Sequence, residues 1–130
     1  MSKVLHHTTD EDTPVDLMAY VLASDRQAVQ QADLASITYK TFDADTPGTV
    51  ENNGTLTIAN VVFDTLQTDA GWTVGVNRDG STGYNFLFPA PGTLFSTGGK
   101  TIHAEVTMTE TGGATYTLQF IVKVKELLSS

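Results

Sequence analysis

An all-β fold, an antiparallel sandwich of about seven short strands, is what this sequence predicts. Three observations carry the prediction. Apolar residues alternate with polar ones over several short runs, which is the period of a half-buried strand. Turn residues separate those runs at intervals of roughly ten to fifteen residues. Only Asp25 to Ser36 and Asn60 to Gln67 could be helical, and each is at most about three turns, too short to organise a fold. A closed barrel would satisfy the same pattern.

Taken in order, residues 1–12 read as a polar N-terminal arm that ends in the acidic run Asp10-Glu11-Asp12. Residues 13–130 read as the β-sandwich domain. Val15, Leu17, Ala19 and Val21 alternate with Asp16, Met18, Tyr20 and Leu22, so both faces of this strand look partly covered, as in an interior or interface strand. Ile37 to Phe42 is β-branched and aromatic and breaks at Asp43-Ala44-Asp45-Thr46-Pro47-Gly48. Asn52-Asn53-Gly54 reads as a turn, with Leu56-Thr57-Ile58 a strand behind it. Trp72 to Val76 is a further short strand, closed by the turn Asn77-Arg78-Asp79-Gly80. Tyr84, Phe86 and Phe88 share one face before Pro89 and Pro91 end ladder pairing. Finally, Thr101 to Met108 and Thr115 to Lys125 alternate strongly about the turn Thr109 to Ala114 and form an antiparallel hairpin. Within it Tyr116, Leu118, Phe120 and Val122 are expected buried, and Lys123 and Lys125 exposed.

Composition narrows the function classes. The 130 residues fit one domain. Seven basic against fifteen acidic side chains give a net charge of −8, so nucleic acid and anionic membrane surfaces would be repelled. The absence of cysteine excludes disulfides, thiol catalysis and thiolate metal sites. No apolar run reaches the length of about 18 residues that a membrane helix needs, and the first residues lack the apolar stretch of a signal peptide.

Motifs for chemistry are incomplete. His103 shares its strand face with Thr101, Glu105 and Thr107, and no Gly-x-Ser-x-Gly elbow supplies a nucleophile, so an exposed-face histidine is expected. Gly99-Lys100-Thr101 ends like a phosphate loop, but Leu94 stands where its first glycine belongs, which leaves a Gly-Gly turn with a solvated lysine. Asp43-x-Asp45 and Asn77-x-Asp79 offer oxygen pairs, yet Pro47 and Gly54 occupy ligand positions of a calcium loop. His6 and His7 beside Asp10, Glu11 and Asp12 have metal-capable atoms, but neighbours in an extended segment point to opposite sides. Asn53-Gly54-Thr55 is a glycosylation sequon that means little without a secretion signal. No catalytic residue, cofactor or metal is therefore expected. Trp72 and Phe95 adjoin turns and are the aromatics most open to an interface or a carbohydrate platform.

Ala35-Ser36-Ile37-Thr38-Tyr39-Lys40-x-Phe42-Asp43, Val62-x-Asp64-Thr65-Leu66 and Gly83-Tyr84-Asn85-Phe86, followed by Pro91, Phe95 and Gly99, resemble the small immunoglobulin-like β-sandwich domains of tailed-bacteriophage structural proteins. The resemblance covers roughly residues 15–125. His103 departs from it, since such sandwiches often carry a tyrosine in the penultimate strand. The resemblance implies an immunoglobulin-like topology and a non-enzymatic place in a virion, as a capsid decoration or cement protein or as a tail or baseplate module. Its implied partners are the major capsid protein or another virion protein, and further copies of itself, with a trimer favoured. An adhesin-type carbohydrate-binding module is the alternative. Val4, Leu5, His6, His7, Asp10, Glu11, Asp12, Trp72 and Phe95 are the candidate interface residues, with Val4 and Leu5 as anchors of an arm that straps neighbours together.

Overall fold

A computed structural model describes residues 2–68, 77 and 80–126. Eight strands are found among them: β1 (Ser2–Asp10), β2 (Val15–Ala19), β3 (Leu34–Asp43), β4 (Asn52–Leu56), β5 (Val62–Gln67), β6 (Tyr84–Ala90), β7 (Thr101–Glu110) and β8 (Thr115–Lys125). They form two sheets, of order β1-β8-β7-β3-β4 and β2-β6-β5. All the pairings are antiparallel except that of β1 with β8, which is parallel. The expected strand at Trp72 to Val76 lies outside the described residues.

The core lies between the sheets, because each strand turns its apolar parity inward. Ile37, Val106, Met108, Leu118, Phe120 and Val122 come from the larger sheet, and Leu17, Ala19, Phe86 and Phe88 from the smaller. Phe86 and Phe120, both fully buried, stack across the gap with ring centroids 6.1 Å apart. The β7–β8 hairpin keeps one register from Thr101↔Lys123 to Thr109↔Thr115. Its turn closes with Glu110 N–H donating to Ala114 O at 2.8 Å. Lys123 and Lys125 are exposed, as the alternation required.

Several local readings change. The segment expected as an arm is a nine-residue edge strand, since its own alternation lets Leu5 pack against the core while β8 completes its backbone hydrogen bonds. Asp25 to Ser36 holds no α-helix, only a 3-10 turn at Gln31–Asp33. The Gln31 side chain donates to Val62 O and its backbone N–H to the Asp64 carboxylate, so polar side chains spend themselves on β5. Of Asn60 to Gln67, only Asn60 and Val61 are helical, as the end of the short helix α1 (Ile58–Val61); the rest is β5, which pairs with β6 at Val62↔Phe86 and Gln67↔Tyr84. Asn52-Asn53-Gly54 is part of β4 and not a turn. Gly54 faces Tyr39 across the ladder, and a Cβ there would lie 2.8 Å from Tyr39 Cε1, so the missing side chain is what lets the ring lie flat. Pro89 stays inside β6, paired with Asp16. It is tolerated because β5 pairs no further along β6 than Phe86, leaving one flank without a ladder to break. β2, expected as an interior or an interface strand, is an edge strand of its sheet, which removes the interior alternative, although Leu17 and Ala19 are fully buried.

One buried polar group organises the smaller sheet. Asn85 is 1% exposed, and its side chain accepts from Val21 N–H at 2.8 Å and donates to Val21 O at 2.9 Å. It thereby takes the place of a backbone partner where the chain leaves β2.

Candidate functional site

The outer face of the five-stranded sheet is built by the parity opposite the core. Register places side chains in rows across it: Thr117, Thr107, Thr38 and Thr55 form one, and Val4, Gln119, Glu105, Lys40 and Asn53 the next. A third runs from His6 through Ile121 and His103 to Phe42. An open groove of about 470 Å³ lies across β3, β4 and β7, lined by Thr38, Lys40, Asn53, Thr55, Glu105 and Thr107 with Tyr39 and Gly54. Lys40 and Glu105 stand directly opposite one another without closing an ion pair, and none of the six polar side chains has a hydrogen bond among the described residues. Those six side chains thus offer one cation, one anion, an amide and three threonine hydroxyls.

The candidate interface residues do not form one patch. Val4, His6, Asp10 and Asp12 are exposed, with Val4 at 51%. Leu5 and His7 sit on the inward parity of β1 and are half-buried, so Leu5 is committed to this chain's own core. Glu11 accepts from Gly98 N–H at 3.2 Å. Phe95 is fully buried and is removed from the interface set, because the Gly92–Phe95 turn folds its ring inward. Trp72 lies outside the described residues.

His103 is half-buried. Its ring lies 5.3 Å from that of Phe42, and Nδ1 is 3.2 Å from the Gln119 amide nitrogen, so its neighbours are a ring and an amide. Lys100, expected to be solvated, pairs with Asp43 at 3.2 Å and approaches Glu51 at 3.9 Å. The Asp45 backbone N–H, then Lys100, hold the Asp43 carboxyl below the usual carboxylate range. That carboxylate, a candidate calcium ligand, is therefore already satisfied by the protein. Asn77 caps its turn through Ser81 Oγ and Gly83 O, and its partner Asp79 lies outside the described residues. No cluster of three or more His, Asp or Glu suited to a metal occurs among the described residues. No helix among them is long and apolar enough to cross a membrane.

The sequence reading passed over two polar clamps. One is Asn85 on Val21. The other is Glu110, which accepts from both the backbone N–H and the hydroxyl of Ser24, at 2.9 and 2.7 Å, and these bonds hold its carboxyl low. Ser24 and Glu110 are 86 residues apart, so no local signal could have joined them. Neither a protein-family model nor a curated protein matches this chain.

Proposed function

We propose that the chain is an immunoglobulin-like sandwich that serves as a non-enzymatic structural protein of a phage virion, a decoration protein that binds the major capsid protein as a homotrimer. The observation that carries the reading is where the resembling segments fall. They occupy β3 in one sheet and β5 and β6 in the other, and the stretch with Pro91, Phe95 and Gly99 links β6 to β7. The strand order supports the immunoglobulin-like assignment: β2, β6 and β5 correspond to strands B, E and D, while β3, β4, β7 and β8 correspond to C, C′, F and G. β1 lies beside β8 and so joins the larger sheet.

The arm enters this reading in altered form. With β1 seated on β8, the surface offered to a shell is its exposed parity, Val4, His6, Thr8 and Asp10. The direct test adds the purified protein to shells that lack decoration and follows co-sedimentation and heat resistance of the particles. Binding with raised heat resistance is expected. Recovery only with tail fractions moves the assignment to a tail or baseplate module, and failure to bind any particle component overturns it.

The groove favours a second reading, a module that binds neutral glycans. Balanced charge, an amide and three hydroxyls suit a polyhydroxylated ligand better than a charged polymer. Shifts of the groove amides on titration with neutral oligosaccharides, abolished in Lys40→Ala and Glu105→Ala, would support it; an unchanged spectrum would remove it.

A further inference from the structure

β1 carries a side chain at odds with its surroundings. Among the described residues the strand is held along one edge only, in a parallel ladder from Ser2↔Thr117 to Asp10↔Lys125. Four residues join it to β2, among them Asp12 at φ 56°. On its inward face, the His7 ring lies 5.6 Å from that of Phe120, and Nε2 is buried without a hydrogen-bond partner. A neutral ring accepts this at modest cost. A proton on Nε2 would place an ammonium-like N–H in an apolar slot with nothing to receive it.

The neighbouring elements offer no compensation. On the same side, β8 presents Phe120, Val122 and Val124; β2 presents Val15, Leu17 and Ala19; the Gly92–Phe95 turn supplies Leu94 and Phe95. The ionisable groups of these elements, Lys123 and Lys125 on β8 and Asp16 on β2, are exposed on the opposite parity. His6 and Asp10 of β1 itself are exposed likewise, and the Glu11 carboxylate is engaged with Gly98. Burial first, and His6 second, push the His7 pKa below its ordinary value.

We propose that β1 is an acid-released strand, in which protonation of His7 lifts β1 off β8 while the two sheets stay folded. The sheets can persist because β8 keeps its nine-pair ladder with β7, and β1 adds only Leu5, at the margin, to the apolar core. Release would bare the β8 backbone edge, a template for a strand from another chain. This inference is independent of the virion reading.

The sign follows from linkage. Released β1 exposes His7 with an ordinary pKa near about 6.5, so the released form binds more protons. Docking is then complete above that value and weakens as pH falls from it towards the lowered docked value, after which no further loss occurs.

Amide hydrogen exchange on the full chain tests this, with rates corrected for the intrinsic pH dependence. Protection across residues 4–10 should fall by up to about tenfold per pH unit as pH drops below about 6.5, with β3 and β7 unchanged. His7→Phe and His7→Leu should each abolish the fall, and His6→Gln, which removes only the lesser cause, should leave most of it. Flat β1 protection, joint loss of β1 and β7, or a fall that survives either His7 variant overturns the proposal. So does an imidazole titration of the unsubstituted protein that places His7 at or above its ordinary pKa, a readout that needs no variant to fold.

Discussion

Phe120 sits at the junction of three elements. It is fully buried, stacks on Phe86 of the opposite sheet and touches His7 of β1. Phe120→Ala removes contacts that the rigid sheets cannot close over, and should cost about 3 to 5 kcal/mol in urea denaturation, the range for a deleted core phenylalanine. A loss below about 1 kcal/mol would contradict its central place. Asn85→Leu keeps the volume and deletes both bonds to Val21, leaving a buried donor without that partner while Val21 O retains Val29 N–H at 3.0 Å. The variant should lose about 1 to 3 kcal/mol, the cost of one unsatisfied group, in the same measurement.

For strands and their connections, the decisive contacts are the ones that tie loops to ladders. Glu110, at the end of β7, holds Ser24 in the segment between β2 and β3. Its carboxyl is depressed by those bonds, so it contributes stability that is complete above the ordinary glutamate pKa and is lost as pH falls through the folded value. Acid unfolding followed by tryptophan-independent far-ultraviolet circular dichroism should show a shallower acid limb in Glu110→Gln than in the parent. An identical limb would assign no linkage to the clamp. β4 poses a steric question. Gly54→Val fills the space that the Tyr39 ring occupies, and should destabilise the β3–β4 edge, seen as faster amide exchange at residues 52–56 with β7 and β8 unaffected.

The whole molecule carries −8, and a trimer triples it, so copies repel unless their contacts are apolar or lie over basic surface. Sedimentation equilibrium should give a trimer whose association strengthens with salt, as screening relieves that repulsion. A monomer at every salt concentration would remove the trimer from the proposal. Affinity for a shell should move the other way, weakening with salt if the acidic surface leads and resisting it if Val4 leads. Val4→Asp separates the two, because it removes the exposed apolar side chain of β1 without disturbing the inward parity.

Strand periodicity made most of the fold legible. The β7–β8 hairpin, the buried row Tyr116, Leu118, Phe120 and Val122, and the aromatic face of β6 all follow from alternation over long runs, where a one-residue slip would expose an entire apolar set. The acidic charge and the lack of cysteine are likewise properties of composition alone. Where alternation was weak, neighbours decided. Residues 2–10 are polar enough to read as a free arm, and became a strand because β8 had an edge to offer. Asn52-Asn53-Gly54 has turn chemistry, and was drawn into β4 by a tyrosine thirteen to fifteen residues earlier in the chain. The groove depends on register between β3, β4 and β7, and the His7 slot on Phe120, more than a hundred residues away. A local pattern reports which face a side chain takes; which distant strand covers that face is set by the packing of the two sheets.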